Sequence, residues 1–574
     1  MPADIKYLIE KRKVLVSKKE PWLNQFQILG KYIYTKKQQF QQDLGPGEFL
    51  NDGMINDSTA VRANSGMASA IMGALWKSGG KTFRIRRPKN IPNTDINNKY
   101  YMDINQELTD AMEAVKAGFE VAFHEEICEE GAFGTACLAL FQGDYENPLS
   151  FKSWSIQNIL ISEGPDGYID TVYYDEKITI QNLADRYGVE KLPASLQEKY
   201  ADLTRRTEQV ILSVAIEPRP KDERKGKGVF GMPIASYHFL PEEGERGTIL
   251  KESGYASMPA RVGRWYKLAN ETYGRSPGMD ALPAIMQINA LKESFLVGVE
   301  KKVDPPVWVL DDGTLGAGVV DTSARGLSVF NSMGRTPGQP PLGVLFDVGE
   351  LQSCAAAIAE TKEEILQHFL IDKLYDLNNK SRMTLGEAEM RYQIRGDALS
   401  SIYARYTAEI LNPFITRAFE ILFEMGLLGV AEDDYATRTI LESNGIEPVD
   451  IPTDVAEAIL LGRKIYEIDY ISPAAHVMRE EEYRGLMATV NNAIALAPVA
   501  PQVTDGLDVD IVLQHSAELS GAPMDIIVAA DKIKQIRDAR AKQQEMAMQV
   551  QAAESLSKTG KNVAQAKAAA QPKG

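Results

Sequence analysis

Four short stretches of this chain hold residue types at spacings that could do chemistry. Gly274-Arg275-Ser276-Pro277-Gly278 is a literal G-x-S-x-G, the pattern that presents a nucleophilic serine on a strand-to-helix turn. Such a serine needs an oxyanion hole built partly from the backbone N–H of the next residue. That residue is Pro277, which has no N–H. The stretch therefore reads as a stiff turn into a helix. Gly226-Lys-Gly-Val-Phe-Gly231 matches G-x-G-x-x-G, but Pro218 and Pro220 separate it from the preceding strand, and Met232-Pro233 stands where a helix should open. A loop is expected there. Gly79-Gly-Lys-Thr82 resembles the end of a phosphate-binding loop, yet Leu75 occupies the position that should be glycine and a helix precedes it. His124 and Cys128 share a helix face at i, i+4, with Cys137 nearby; three ligands could hold zinc, but there is no C-x-x-C and the flanks are apolar. Packed core residues are expected instead. None of the five histidines (124, 238, 368, 476, 515) sits in a catalytic setting. The expectation is no catalytic residue, no cofactor and no metal.

The elements that would position these residues belong to a long, ordinary globular chain. Its 574 residues suffice for two to four domains, with 44% hydrophobic and 25% charged residues. Cys128, Cys137 and Cys354 cannot build a disulfide framework, so a reducing compartment is expected. No apolar run approaches the roughly 18 residues that span a bilayer, and the start lacks a signal-peptide pattern. A soluble protein made inside the cell is the expectation. Net charge is −16, from 63 basic and 79 acidic residues. A protein that grips DNA through phosphates needs a basic surface, which is not supplied globally. An acidic wall still suits a polyanion that must slide past without sticking.

Residues 1–45, Lys/Gln-rich with interleaved Trp22, Phe26, Tyr32, Tyr34 and Phe40, are predicted helical. Asp57-Ser58 should cap a helix to about Leu75-Trp76, and another helix should run from about Asn98 to Glu130. Gly131 to about Gly263 reads as mixed β, with strands over Thr135–Phe141, Gly167–Tyr174, Gln209–Glu217 and Ile234–Phe239. The next helix is the best defined. Asp280 is the expected N-cap, Pro283 falls in the first turn, and Ile288, Leu291, Phe295, Val299 and Val303 recur at steps of three or four. Lys292, Glu293, Glu300 and Lys301 lie on other faces, and Pro305-Pro306 stops the helix. Val307 to about Phe346 is Gly/Pro-rich, with too few apolar residues for a core of its own, and should fold against neighbours. A helix returns over about Leu351–Leu370. Thr384 and Glu387 form a plausible capping box for helical pattern to about Leu428, with bends predicted at Gly396 and Pro413. From about Asp531 the chain is Ala/Gln/Lys-rich and reads as a solvated helix fading into low complexity.

Tyr273-Gly-Arg-Ser-Pro-Gly-Met-Asp-Ala-Leu-Pro283, followed by Gln287-Ile-Asn-Ala-Leu-Lys292 and Asp304-Pro-Pro306, resembles the head-to-tail connector (portal) proteins of short-tailed bacteriophages. The resemblance resumes at Arg382-Met-Thr384 with Glu387-Ala388, and at Leu411-Asn-Pro-Phe-Ile-Thr-Arg417 before Gly426. Weaker echoes are Asp57-Ser-Thr-Ala60 and Gly131-Ala-Phe-Gly-Thr-Ala136, so that roughly residues 20–540 are covered.

The resemblance implies an α+β, mainly helical fold of portal type, with wing, stem, clip and crown regions assembled as a ring, a dodecamer. On that basis residues 1–275 are the wing, helical plus mixed β. Residues 276–303 are a stem helix carrying Asp280, Pro283, Lys292, Glu293, Glu300 and Lys301, and 304–347 are the clip, with Trp308, Arg325 and Arg335 as docking candidates. Residues 348–372 are the second stem helix. Residues 373–383 are the tunnel loop, where Lys373, Asn378, Asn379, Lys380 and Arg382 are candidates to face DNA. Residues 384–510 are the long helix and wing/crown, and 511–574 a C-terminal helical crown or barrel with a low-complexity tail. The implied function is a channel at one capsid vertex for DNA packaging, retention and ejection. The implied partners are the terminase large subunit, then tail adaptor and tail tube proteins, with major capsid and scaffolding proteins, and double-stranded DNA passing non-specifically; no membrane is involved. The implied location is the virion, after synthesis in the host cytoplasm. The alternatives are another phage structural or adaptor protein that does not ring DNA, and a DNA-processing enzyme, which the failed motifs disfavour.

Overall fold

A computed structural model describes residues 4–37, 40, 55–76, 82–224, 228–241, 247–311, 321–331, 342–374, 400–470, 473–496, 509–520, 533, 535–546 and 548. The chain divides into two compact units, Met1–Gly80 with Asp110–Leu422, and Lys81–Thr109 with Phe423–Gly574.

In the first unit, helix α1 (Ile5–Tyr32) is capped by the Asp4 carboxylate, which accepts from the Lys6 amide. Helix α2 (Thr59–Leu75) follows. Ser58 holds its cap position, but the oxygen that accepts from the Thr59 amide, at 2.7 Å, is Asp57 Oδ1. In place of the single helix expected from Asn98 to Glu130 there are two, α3 (Asp95–Glu113), which belongs to the second unit as far as Thr109, and α4 (Phe119–Phe133) of the first. Between them Ala114 leaves the helix at ψ 131°, a 3-10 turn covers Val115–Ala117, and Gly118, at a left-handed φ of 70°, opens α4.

The strands match the alternation read from sequence and extend it. They are β2 (Thr135–Gln142), β3 (Leu149–Trp154), β4 (Ile159–Glu163), β5 (Ile169–Thr179), β6 (Gln209–Pro218), β7 (Ile234–Leu240), β8 (Thr248–Tyr255) and β9 (Ala260–Arg264), after β1 (Phe83–Arg86). Helices α5 (Ile180–Tyr187) and α6 (Ala194–Ala201) connect β5 to β6. β4-β5-β6-β7-β8 form an antiparallel sheet in sequence order, and β3-β2-β9 a second antiparallel one. Leu8 and Leu15, two turns apart on α1, bury against Leu160, Tyr173, Ala215, Ala235, Tyr237 and Phe239 of the five-stranded sheet.

Helix α7 (Pro277–Val303) and helix α8 (Gln352–His368) pack side by side, with the short α9 (Ile371–Leu374) after them. The segment expected to lean on neighbours makes its own three-stranded sheet. In it β10 (Val307–Asp311) pairs parallel with β11 (Leu327–Asn331) and antiparallel with β12 (Leu342–Val344). Backbone pairing supplies the cohesion that the sparse apolar residues cannot.

The helix expected from Thr384 is described from residue 400, so its capping box and the Gly396 bend lie outside the described residues. It widens to a π turn over Thr407–Leu411 and returns to α over Asn412–Glu424. Pro413 explains the position: its missing N–H cannot complete the α ladder, and the Asn412 amide already reaches back five residues to Thr407.

In the second unit β1 pairs antiparallel with β13 (Glu467–Tyr470), far away in sequence. Asn105 locks this pair, accepting from the Ile85 amide at 2.6 Å and donating to the Ile85 carbonyl at 2.8 Å. Helices Tyr435–Ser443, Thr453–Leu460, Pro473–Leu496 and Val509–Ser520 follow, and residues 535–546 are an exposed helix. No described helix is long and apolar enough to cross a membrane.

Candidate functional site

The most chemistry-like motif resolves into a joint. Ser276, not Asp280, is the N-cap of α7. Its Oγ accepts from the Met279 amide at 2.9 Å and donates to the Ala132 carbonyl at 2.8 Å, fully buried. Pro277 takes the first helical position, where an N–H would be orphaned anyway. Asp280 falls within the first turn, where its charge complements the helix dipole, and Pro283 lies inside the helix rather than at its start. The two motif glycines mark close approaches. A methyl on Gly274 would lie 2.2 Å from the Gly134 carbonyl oxygen; one on Gly278 would lie 2.8 Å from Ile33 Cδ1 and 3.0 Å from the Gly131 oxygen. The G-x-S-x-G is thus a packing surface against the end of α4.

Beyond that joint, α7 and α8 are tied to the start of α2 by one carboxylate. Asp57 Oδ2 meets Lys292 Nζ of α7 at 2.9 Å and Lys362 Nζ of α8 at 3.6 Å, and its side chain is almost wholly buried. Asn289 Oδ1 accepts from the backbone amides of both Asn56 and Asp57. Burial works against the Asp57 charge, but the Thr59 and Lys292 hydrogen bonds outweigh it and hold the carboxyl below its usual range. Asp57→Ala should cost about 2 kcal/mol, since bonds to a charged group are worth roughly 1.5–3 kcal/mol and both lysines stay partly solvated. Asp57→Asn, which keeps the cap, should lose about half of that. Because the folded pKa is depressed, this stability is present above the unfolded carboxylate pKa and is lost as pH falls through the folded one. Urea unfolding of both variants at neutral and acid pH checks the magnitude and the sign.

Further along α7, Glu293 and Glu300 are exposed, and Lys301 Nζ sits 5.7 Å from the Phe346 ring centroid. Val303, expected on the buried stripe, is exposed together with Leu296 and Val297. Leu291, Phe295 and Val299 of that stripe stay half-buried, so the apolar period is partly covered until Val303, and Leu296 and Val297 lie off it.

At the tip, Trp308 lies opposite Gly343 in the β10–β12 register, and a methyl on Gly343 would come 2.7 Å from the indole Nε1. Arg325 adopts a positive φ of 62° and pairs with Asp304 at 2.8 Å in open solvent, which adds little stability. Leu327, Phe330, Leu342 and Val344 are exposed on this small sheet. Arg335, Asn378, Asn379, Lys380 and Arg382 lie outside the described residues; Lys373 is described, as an exposed residue of α9.

Of the other motifs, residues 79–81 of Gly79-Gly-Lys-Thr82 and residues 226–227 of Gly226-Lys-Gly-Val-Phe-Gly231 lie outside the described residues. His124 Nδ1 is 3.8 Å from Cys128 Sγ and its Nε2 is 3.2 Å from Ser69 Oγ, while burial pushes the Cys128 thiol up to about 11, leaving it a poor thiolate. Among the described residues no three His, Cys, Asp or Glu side chains are placed to hold a metal. Gly228–Gly231 turn into strand β7 rather than a helix. Asn289 and Gly134 fall inside stretches that carry the resemblance, but the sequence assigned neither a role. Their roles depend on partners 233 and 140 positions away, and no local signal marks them.

The sequence profile of one family, described as bacteriophage head to tail connecting protein, matches residues 6–528. The chain is similar to a probable portal protein of Bordetella phage BPP-1, 24% identical over 566 residues that cover 97% of this chain and 95% of the other. It is also similar to a portal protein of Salmonella phage epsilon15, 25% identical over 447 residues, covering 75% and 73%. Among solved structures it is similar to a chain from the virion of a native gene transfer agent particle, at 12% identity and a TM-score of 0.29, covering 73% of this chain and 97% of that one. A second, from the neck of an empty gene transfer agent particle, gives 11% identity and a TM-score of 0.33, covering 72% and 92%.

Proposed function

This chain belongs to the bacteriophage head-to-tail connecting family, a structural and non-enzymatic one, and from that membership we propose that it is the portal of its phage. In this reading, copies of the chain form a closed ring at one capsid vertex, and the genome enters and leaves through the ring. The observation that carries it is the family match over residues 6–528, nearly the whole chain, with the relatives matched over most of their own length. The exposed apolar end of α7 supports assembly, because Leu296, Val297 and Val303 need neighbours that one copy does not supply.

The finer roles follow the same reading. α7 and α8 serve as stem helices, the β10–β12 sheet serves as the clip that docks terminase and later tail adaptors, and residues 373–383 serve as the loop facing DNA. Overall negative charge suits a passage, with Lys380 and Arg382 offering weak contacts blind to sequence. Twelve copies per ring and contact with capsid, scaffolding and tail proteins belong to this proposal too.

Negative-stain microscopy of the purified full chain tests it. Class averages should show an annulus with a central hole and twelve-fold symmetry. A monomer or an open filament at every concentration would sink the ring, and a ring of another number would correct only the count.

A further inference from the structure

One group of ionisable side chains inside the first unit takes no part in the joint, the helix pair or the tip. Glu126 and Glu130 lie one turn apart on the same face of α4, both buried. Gly263 of β9 faces them. A methyl built there would lie 2.8 Å from Glu126 Oε1 and 3.2 Å from Glu130 Oε2, with Ile410 of the π turn also at 3.2 Å. Both carboxyls therefore crowd the same bare patch of strand. Tyr406, buried just before the π turn, lies close to Glu130 and Glu126, and its hydroxyl and Glu130 Oε2 are buried with no hydrogen-bond partner among the described residues. Among the described residues neither oxygen of Glu126 has a hydrogen-bond partner.

The surrounding charges do not neutralise the pair. On α4, Glu129 is committed elsewhere, to Lys37 and to the Ile156 amide at 2.9 Å. On β2, Cys137 faces Glu126 and Glu129. On the helix carrying the π turn, Glu409 adds a third carboxyl toward Glu126 and Glu130, itself faced by Arg264 of β9, Arg405 and Lys267. Arg405 acts on Glu130 but donates its hydrogen bonds to the backbone carbonyls of Arg264 and Trp265.

We propose that Glu126 and Glu130 are kept as neutral carboxylic acids and, with Tyr406, form a proton-dependent latch between α4 and the π-turn helix, closed while both protons are present and loosened when they leave. An ionised carboxylate with no donor in the interior is strongly disfavoured, and two of them side by side repel. Burial pushes both groups up, Glu130 to about 8, and Glu126 is raised further by Glu130, Glu129 and Glu409. The protons come off in steps that belong to the pair. Because the folded pKa values lie above the unfolded ones, the folded state binds more protons. The contribution is complete below the unfolded carboxyl pKa, declines as pH rises, and is gone above the folded values. The π turn is where loosening should show, since its single wide turn has the fewest regular ladder bonds to lose.

Hydrogen exchange of the full chain, corrected for intrinsic rate, tests the latch from about pH 6 to 9. Amides of 402–411 in the wild type should lose protection by at least about tenfold, since each pH unit climbed below the folded pKa removes a factor of about ten. Glu126→Gln with Glu130→Gln, which fixes the neutral shape, should hold the loss to less than about twofold over the same range. An equal decline in both proteins overturns the proposal. Should the double variant fail to fold, infrared spectra of the wild type decide it. A protonated-carboxyl carbonyl band at neutral pH that vanishes on unfolding supports the latch, and its absence from the folded protein refutes it.

Discussion

Gly274→Ala should lower the stability of the first unit by about 3 kcal/mol or more, beyond the usual cost of a single methyl, because the overpacking has no soft side to yield. The new methyl would meet the Gly134 carbonyl oxygen at 2.2 Å, Arg264 Cβ at 3.0 Å and the Tyr266 carbonyl oxygen at 3.2 Å. Two of those three are backbone. Gly134 cannot retreat: its φ of 79° ends α4, and its carbonyl accepts from the Trp265 amide at 3.0 Å. Moving Gly274 instead would break the hydrogen bond its N–H donates to Thr135 Oγ1 at 2.7 Å and the Tyr266–Arg275 bridge, each such hydrogen bond worth about 1 kcal/mol. Gly73→Ala is the control. It lies in α2 with no atom near the added methyl, so the same substitution should be neutral or stabilise by up to about 1 kcal/mol. Thermal or urea unfolding of the two variants checks the opposite signs. In a ring the Gly274 variant should also be the poorer assembler, because the turn aims α7.

Lys19→Met should be worse, costing about 4 kcal/mol, since burying unpaired polar groups costs roughly 1–3 kcal/mol each. The Lys19 ammonium is buried under α1 and donates to three carbonyls, those of Ile156 at 2.6 Å, Gln157 at 2.7 Å and Ile159 at 2.9 Å. Methionine fills the same space but donates nothing, leaving the turn between β3 and β4 without its organiser. Burial pushes Lys19 down to about 7, against the pull of Asp175 and Glu129. Because the folded value is depressed below that of a free lysine, the unfolded chain binds the extra proton above about pH 7. Wild-type stability, and with it the measured loss, therefore grows as pH rises from there, and the loss is smallest at about pH 6. An unfolding midpoint unchanged from the wild type would show that water satisfies those carbonyls equally well. Against a total stability of about 5–15 kcal/mol, either variant should be visible without fine measurement.

Much of α7 was legible because its signals are local. Apolar residues at steps of three and four mark the helix, and Pro305-Pro306 ends it, so its span of Pro277–Val303 needs little context. The cap was misplaced for the same reason. Asp280 and Ser276 are both good capping residues, and what selects Ser276 is the Ala132 carbonyl, 144 positions away. The strands β2, β6 and β7 were legible from β-branched alternation, whereas the small sheet at the tip was not. Its β10–β11 pairing is parallel and its segments are short, so no turn signature joins them.

By itself the sequence determined that the G-x-S-x-G cannot be a nucleophile elbow, since a proline without an N–H excludes it in any fold. It also determined the main helices and strands, through periodicities that depend only on backbone geometry. The tertiary structure alone decided which charges are buried. In His124-Glu-Glu-Ile-Cys-Glu-Glu130 the glutamates look like a solvated helix face, yet Glu126, Glu129 and Glu130 are all interior. It alone paired β1 with β13 across nearly four hundred residues. Burial and long-range pairing are set by which surfaces meet when the chain closes, and no window of neighbouring residues contains that information.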